Sequence, residues 1–269
     1  MSAAVSRPRT VVVTGSASGM GAATRARLEA DGQRVIGVDL HDAEVEADLG
    51  TPAGRRAALD AVAAAAGGAI DGLVTWAGLA GLTHLSGSLL ASVNYFGTVE
   101  LLEGLRPLLA AGDRPAAVAV SSNSTTVQPG VPMDLVELLL AGDEDGARAA
   151  ADTAGALATY PATKTAVARW VRRQAPTDHW AGAGITLNVV APGAVETPMI
   201  QATRDDPVVG QFIDVFPIPV GRLGTADELA GLVAFLLGPD ARFLCGSVVF
   251  ADGGTDALLR ADRTPTPMT

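Results

Sequence analysis

Tyr160 and Lys164 stand four residues apart in the stretch Tyr160-Pro161-Ala162-Thr163-Lys164. On a helix from Leu157 to Ala181, that spacing stacks both side chains on one face, one turn apart. An ammonium beside a phenol favours the phenolate, so the tyrosine is expected below its reference pKa of about 10. A phenol tuned in that way exchanges protons with an alcohol or a ketone near neutral pH. The bare pattern is also what a surface helix could carry by chance, and composition is what singles it out. Lys164 is the only lysine among 19 basic residues, and Tyr160 is one of two tyrosines. A chain that otherwise uses arginine places a compact ammonium here, where a planar guanidinium fork would not serve.

A second chemistry begins near the other end of the chain. The β-branched run Thr10 to Val13 reads as a buried strand. It leads straight into Thr14-Gly15-Ser16-Ala17-Ser18-Gly19-Met20-Gly21 and a helical stretch, Ala22 to Asp31. Strand, glycine-rich turn and helix form the context in which backbone N–H groups and a helix N-terminus receive a pyrophosphate. Gly15, Ala17, Ser18, Gly19, Met20 and Gly21 are the candidate contacts. The next strand, Arg34 to Val38, ends in Asp39, eighteen residues after Gly21. An offset of about 20 is expected for a carboxylate that holds the adenosine ribose. No basic residue stands at Ser18, Leu40 or His41 to receive a 2′-phosphate, so NAD is expected over NADP.

These groups need a scaffold, and its rhythm is readable. Further strands are expected over Glu44 to Leu49, Gly72 to Trp76, Ala116 to Val120, Ile185 to Val190 and Ser247 to Ala251. Helices over Thr51 to Ala66, Leu89 to Leu109 and Ala226 to Leu237 alternate with them. Asp48 and Leu49 then lie near an adenine edge, and the small Ala77 and Gly78 let the backbone pass close to a cofactor. The helix Leu89 to Leu109 carries Asn94, and the fifth strand ends in Ser121-Ser122-Asn123-Ser124. Residues 125–156 break the rhythm. Pro132 opens a helix at Met133 that Gly142 ends, and Asp143 to Ala154 makes a second. They read as a helical insertion, not as a separate domain. From Met199 to Pro219 the chain is irregular and rich in large apolar groups. The expectation is one α/β unit over 1–269: a Rossmann-type, doubly wound, seven-stranded parallel sheet with helices on both faces.

Composition narrows the function classes. A chain of 269 residues with 48% hydrophobic residues can bury a sizeable core. Its net charge of −10 argues against nucleic acid as the main partner. No apolar run is long enough to span a bilayer, and Met1 to Arg9 lacks the features of a signal peptide, so a cytoplasmic location is expected. Cys245 is the only cysteine, which excludes an internal disulfide and any cysteine-rich metal site.

The ordered set Thr14-Gly15-x-x-x-Gly19-x-Gly21, Asn94, Ser122, Tyr160-x-x-x-Lys164 and Pro192-Gly193 resembles the short-chain dehydrogenases/reductases over about Val11 to Gly254. Within that family, Ala43 to Leu49, Ser92 to Gly97 and the insertion look like the bacterial hydroxysteroid dehydrogenase/carbonyl reductase branch. The resemblance implies that Tyr160 exchanges the proton at the substrate oxygen and Ser122 hydrogen-bonds that oxygen, with Ser121 as the alternative serine. It implies that Lys164 lowers the tyrosine's pKa and binds the nicotinamide ribose, and that Asn94 anchors a water. Pro192, Gly193, Val195, Thr197 and Met199 would complete the cofactor site. Residues 196–219 would form the substrate lid, with Met199, Phe212 and Phe216 touching a bulky apolar alcohol or ketone.

Two departures from the family pattern stand out. The segment after the fourth strand reads Thr75-Trp76-Ala77-Gly78 where plain members have two asparagines, so one hydrogen bond between strands is expected to be missing. Ser122 and Tyr160 are 38 positions apart because of the insertion. Extra helices beside the tyrosine helix would block a common subunit contact, so a homodimer is expected over a tetramer. The implied activity is NAD-dependent interconversion of a secondary alcohol and its ketone, with a 3α-hydroxysteroid as the expected substrate. Terpenoid or aryl alcohols, and a non-catalytic NAD sensor, remain as alternatives.

Overall fold

The apolar strand runs pair side by side in the computed structural model, which describes residues 7–213 and 215–264. Most of the N-terminal stretch read for a leader, and the last five residues, lie outside the described residues. In chain order the main strands begin with β1 (Thr10–Thr14), β2 (Arg34–Asp39), β3 (Val45–Glu46), β4 (Gly72–Thr75), β5 (Ala116–Val120) and β6 (Thr186–Pro192). A ribbon of β7 (Val195–Glu196) and β8 (Gly224–Thr225) precedes the last strand, β9 (Val248–Ala251). The seven-stranded sheet has the order β3-β2-β1-β4-β5-β6-β9, and all its pairings are parallel. The order reverses direction between β1 and β4. A crevice opens there beyond the carboxyl ends of the strands, as in other doubly wound sheets.

Parallel strands buried on both faces need apolar residues at every position, and alternate ones feed two cores. Val12 joins the cluster that contains Leu102 and Val167, whereas Val11 and Val13 join the cluster that contains Leu28 and Val233. The first face carries α2 (Pro52–Ala66), α4 (Gly97–Ala110) and α8 (Ala156–Gln174). The second carries α1 (Gly19–Ala30) packed on α11 (Ala226–Leu237). Several expected boundaries move. The helix expected over Leu89 to Leu109 is three pieces: α3 (Gly87–Leu90), a π-helical segment (Ala91–Phe96) and α4. The tyrosine helix stops at Gln174 and not at Ala181: Ala175 keeps helical geometry, but Pro176 has no N–H to carry the ladder on. The third strand ends at Glu46, since Asp48 turns the chain by accepting from the Gly50 N–H at 2.8 Å.

The insertion forms α5 (Ser124–Val127), α6 (Met133–Ala141) and α7 (Glu144–Ala154). It packs on α8, α3 and the π-helical segment. The fit is tight, because a Cβ on Gly87 would fall 2.0 Å from the Ala151 carbonyl oxygen. The segment expected to form a lid is more regular than its sequence suggests, with α9 (Pro198–Asp205) and α10 (Gly210–Ile213). A final helix, α12 (Thr255–Arg260), follows β9.

Arg55 fastens the insertion to the core. Its side chain is fully buried on α2, bonded to Glu100 of α4 at 2.8 Å and to Glu144 of α7 at 2.5 Å. It also lies over the Phe96 ring, 6.0 Å from its centre. Removing it leaves two carboxylates facing a hole. Arg55→Ala is expected to lower the unfolding free energy by about 3 kcal/mol, whereas Arg55→Met, which keeps the stem's packing, loses less. Urea unfolding of both variants measures the difference.

Candidate active site

The end of β5 and the middle of α8 are tied together through one residue. Lys164 is buried, and its Nζ donates to the Val120 carbonyl at 3.2 Å, while the Ser121 hydroxyl donates to the Lys164 carbonyl at 2.8 Å. That bond turns Ser121 towards the helix backbone. Ser122 instead lies beside the Tyr160 phenol, whose pKa its hydrogen bond lowers, and its Oγ accepts from the Ser124 N–H at 3.1 Å. Between the two serines, then, it is Ser122 that sits at the phenol.

The expected fall in the tyrosine's pKa does not occur. Burial raises the Tyr160 pKa above its ordinary value, and the Ser122 hydrogen bond offsets this only in part. Burial also lowers Lys164 to about 8. The ammonium lies 5.9 Å from the centre of the tyrosine ring. Desolvation, which disfavours both charged forms, outweighs the attraction between them in this structure.

Asn94 lies beneath the site, fully buried on the π-helical segment. Its Oδ1 accepts from the Leu79 N–H at 2.7 Å and its Nδ2 donates to the Leu79 carbonyl at 2.9 Å. The asparagine therefore clamps the loop that follows β4. A side chain on Gly78 would meet Asn94 Oδ1 at 3.2 Å and Lys164 Nζ at 3.4 Å, which is why a glycine passes there. The indole of Trp76 turns the other way and donates to the Thr24 hydroxyl at 2.8 Å, while the Ala77 N–H donates to Thr14 Oγ1 at 3.0 Å.

The glycine-rich turn lies across the crevice. Gly15 and Gly19 have φ of +66° and +53°, conformations that suit glycine. A Cβ on Gly21 would overlap the Gly15 carbonyl oxygen at 1.9 Å, so only glycine lets the loop fold onto the start of α1. No side chain caps that helix start. Asp39 at the end of β2 is fixed through the Ala17 N–H at 2.9 Å and the Leu40 N–H at 2.7 Å. The cleft between them is lined by Gly15, Ser18, Gly19, Met20, Gly21, Asp39 and Leu40, then by Asp48, Leu49, Ala77 and Gly78. Ala17 meets Asp39 through its backbone and does not line the cleft. Arg25, beside Gly37 of this strand, is taken up by Glu29 and Glu44, and among the described residues no lysine or arginine lines the cleft. These features fit a dinucleotide with a free ribose 2′-hydroxyl: uncapped helix N–H groups for the pyrophosphate, a carboxylate for the ribose.

An adjoining cleft holds Ser122, Tyr160, Lys164, Pro192, Gly193, Val195 and Phe216, and shares Met20, Gly78, Thr197 and Met199 with the first. Apart from the serine, tyrosine and lysine its walls are largely apolar. Phe212, expected to touch substrate, lines neither cleft and is 56% exposed. Ile200, Val209 and Ile213 are apolar wall residues instead. A periodicity reading of α9 would have picked out Ile200, but two short helices were not visible in that stretch.

The family model described as Enoyl-(Acyl carrier protein) reductase matches residues 146–256. A 3-alpha-hydroxysteroid dehydrogenase/carbonyl reductase of Comamonas testosteroni is 42% identical over 253 residues, 93% of this chain and 97% of the relative. Levodione reductase of Leifsonia aquatica is 29% identical, over 93% of this chain and 94% of its own. Among solved structures, the 3-alpha-hydroxysteroid dehydrogenase from Pseudomonas sp. B-0831 complexed with NADH superposes with a TM-score of 0.90. It is 47% identical, covering 94% of this chain and 99% of that one. The chain is thus similar to these relatives over nearly its whole length, and it belongs to the short-chain dehydrogenase/reductase family.

Proposed function

We propose that this protein is an NAD-dependent oxidoreductase that interconverts a bulky, apolar secondary alcohol, such as a 3α-hydroxysteroid, and its ketone. The observation that carries the reading is the meeting of Ser122, Tyr160 and Lys164 at the junction of a dinucleotide cleft and an apolar one. The steroid assignment is supported by the full-length similarity to two 3-alpha-hydroxysteroid dehydrogenases. When bound, the cofactor supplies the site that takes or gives the hydride. The chain's own residues do the rest. Ser122 orients the substrate oxygen beside the phenol. Tyr160 accepts the hydroxyl proton during oxidation and returns it during reduction. Lys164 holds a positive charge near both, and Asn94 fixes the loop on which the cofactor rests. Pro192, Gly193, Val195, Thr197 and Met199 close the nicotinamide end, and Met199 and Phe216 touch substrate. The whole chain acts as one cytoplasmic unit with an insertion at about 125–156 and a lid at about 196–219, drawing on the NAD pool there.

We assign NAD over NADP on Asp39 and on a cleft lined, among the described residues, by no lysine or arginine. A 2′-phosphate would meet a carboxylate held by two backbone N–H groups. Asp39→Ala is expected to weaken NAD binding about tenfold and to narrow the preference over NADP, the effect of losing hydrogen bonds to a charged acceptor. Calorimetric titration with each cofactor checks this without any substrate.

For oxidation the phenol must be ionised to take the proton. Because burial raises its pKa, the oxidation rate is expected to climb with pH through the alkaline range, and the reduction rate to fall there. The Ser122 hydrogen bond is what lowers that pKa, so Ser122→Ala moves the alkaline limb to still higher pH. Tyr160→Phe abolishes the limb together with turnover. Rate–pH profiles of the three proteins on a 3α-hydroxysteroid test the assignment, and an unshifted limb in Ser122→Ala removes the serine from it.

A homodimer is the assembly we favour. The insertion covers the face of α8 next to α3 and the π-helical segment, so that face is closed to a second subunit. On the opposite side of the sheet Phe235 of α11 is 45% exposed, and Phe243, in the turn that precedes the edge strand β9, is fully exposed. Light scattering during size exclusion should give twice the chain mass of 27.1 kDa, and a stable tetramer would overturn the idea.

A further inference from the structure

The apolar cleft has two walls from distant parts of the chain. Leu79, Ala80 and Gly81, in the loop after β4, form one, and Ile200, Val209 and Ile213, on and between α9 and α10, face them. The sheet itself supplies neither wall. A single carboxylate joins them. Asp206, buried at the turn that ends α9, accepts with Oδ2 from the Thr83 N–H at 2.8 Å and from the Thr83 hydroxyl at 2.7 Å. Its Oδ1 accepts from the N–H groups of Val208 at 2.9 Å and Val209 at 3.0 Å.

The two oxygens do different work. Oδ1 shapes the turn from α9 towards α10, as an aspartate bonding backbone two and three residues on. Oδ2 crosses to the opposite wall. That wall is itself pressed on the tyrosine helix, because a Cβ on Gly81 would lie 2.9 Å from Tyr160 Cβ and 3.0 Å from the Ala156 carbonyl oxygen. A continuous line of contact therefore runs from Tyr160 through Gly81 and Thr83 to Asp206 and the lid.

We propose that Asp206 is a positioning residue that fixes the distance between the lid and Tyr160, and so sets how bulky a substrate the cleft receives. The proposal rests on the reading of this cleft as the substrate site. Four donors hold the Asp206 carboxyl well below the usual carboxylate range, so the clamp is permanent near neutral pH and does not act as a pH switch. Asparagine cannot replace it. One of its two acceptor oxygens becomes an NH2 group, which would face N–H donors.

Asp206→Asn, Thr83→Val and Thr83→Ser separate the clamp from general stability. Thr83→Val removes only the hydroxyl bond and keeps the branched shape and the backbone N–H; Thr83→Ser keeps the hydroxyl. Amide hydrogen exchange across 79–85 and 198–213 is expected to quicken in Asp206→Asn, to a lesser degree in Thr83→Val, and to stay native in Thr83→Ser. In steady-state kinetics, KM for a 3α-hydroxysteroid rises about tenfold in Asp206→Asn, the scale of one lost charge-assisted hydrogen bond. KM for a small acyclic secondary alcohol, NAD affinity and the pH profile of kcat remain as in the parent. Native exchange in both Asp206→Asn and Thr83→Val would overturn the proposal, as would a parallel rise in KM for large and small alcohols. Exchange needs no turnover, so if neither alcohol is oxidised it alone decides the clamp, and the failure falls on the redox reading. Should Asp206→Asn not fold, the valine and serine variants carry the comparison.

Discussion

An ammonium taken out of water persists only where carbonyl dipoles and hydroxyls replace part of its hydration. Lys164 meets that condition at one place, where β5 ends and the Val120 carbonyl lies 3.2 Å from Nζ. The replacement is incomplete, and the pKa settles at about 8. To reach that carbonyl, α8 must lie close across the end of the sheet, and Ala162 and Ala166, both fully buried, are small enough to allow it. Once the lysine is docked, helical spacing leaves no freedom for Tyr160, one turn earlier, or for Thr163, whose hydroxyl donates to the Tyr160 carbonyl at 2.7 Å. Ser121 then bonds the helix backbone, and the next residue of the strand end meets the phenol. One buried charge thus sets the register of three proposed catalytic groups.

The same logic runs outward to the loop after β4. Asn94 spends both ends of its amide on the Leu79 peptide unit, fixing Gly78 between itself and Lys164. The π-helical segment that carries it is a local widening of the helical turn, a feature often found at functional sites. That segment is also where the insertion docks, with the Ser92 hydroxyl bonded to Glu144 and Arg148 of α7. The insertion therefore buttresses the underside of the site, although none of its side chains beyond the start of α5 and Gln128 reaches the cleft.

Much of this was legible in the residues because several signals agreed. Strand β1, the glycine turn and Asp39 each follow from local rules, and the parallel sheet follows from their alternation with helices. The lone lysine marked the proposed site without any structural knowledge. What was not legible depended on competition between terms. Spacing alone predicted a lowered tyrosine pKa, but whether attraction or desolvation prevails depends on burial, which no spacing shows. The break of the Leu89 to Leu109 helix leaves no proline or glycine signature at Ala91 to Phe96. Phe212 and Phe216 look alike in sequence, yet only Phe216, beyond the end of α10, lines the cleft, a difference that their spacing does not show. The stop at Gln174, by contrast, was readable from Pro176 and was missed.

Chemistry and selectivity therefore have separate structural origins here. The proposed proton-transferring groups and the candidate cofactor cleft lie where parallel strands end and helices begin, positions that the sheet order imposes and that small changes in sequence scarcely move. The walls proposed to meet the rest of the substrate belong to a loop and to two short helices, held by side-chain bonds to backbone. Each such bond is worth on the order of 1 to 3 kcal/mol, so a few substitutions suffice to reshape the walls while the sheet stays intact. That asymmetry explains how one scaffold serves many alcohols. It also explains why the substrate is better argued from Asp206 and the residues it places than from the tyrosine and lysine, which would look the same whatever the alcohol.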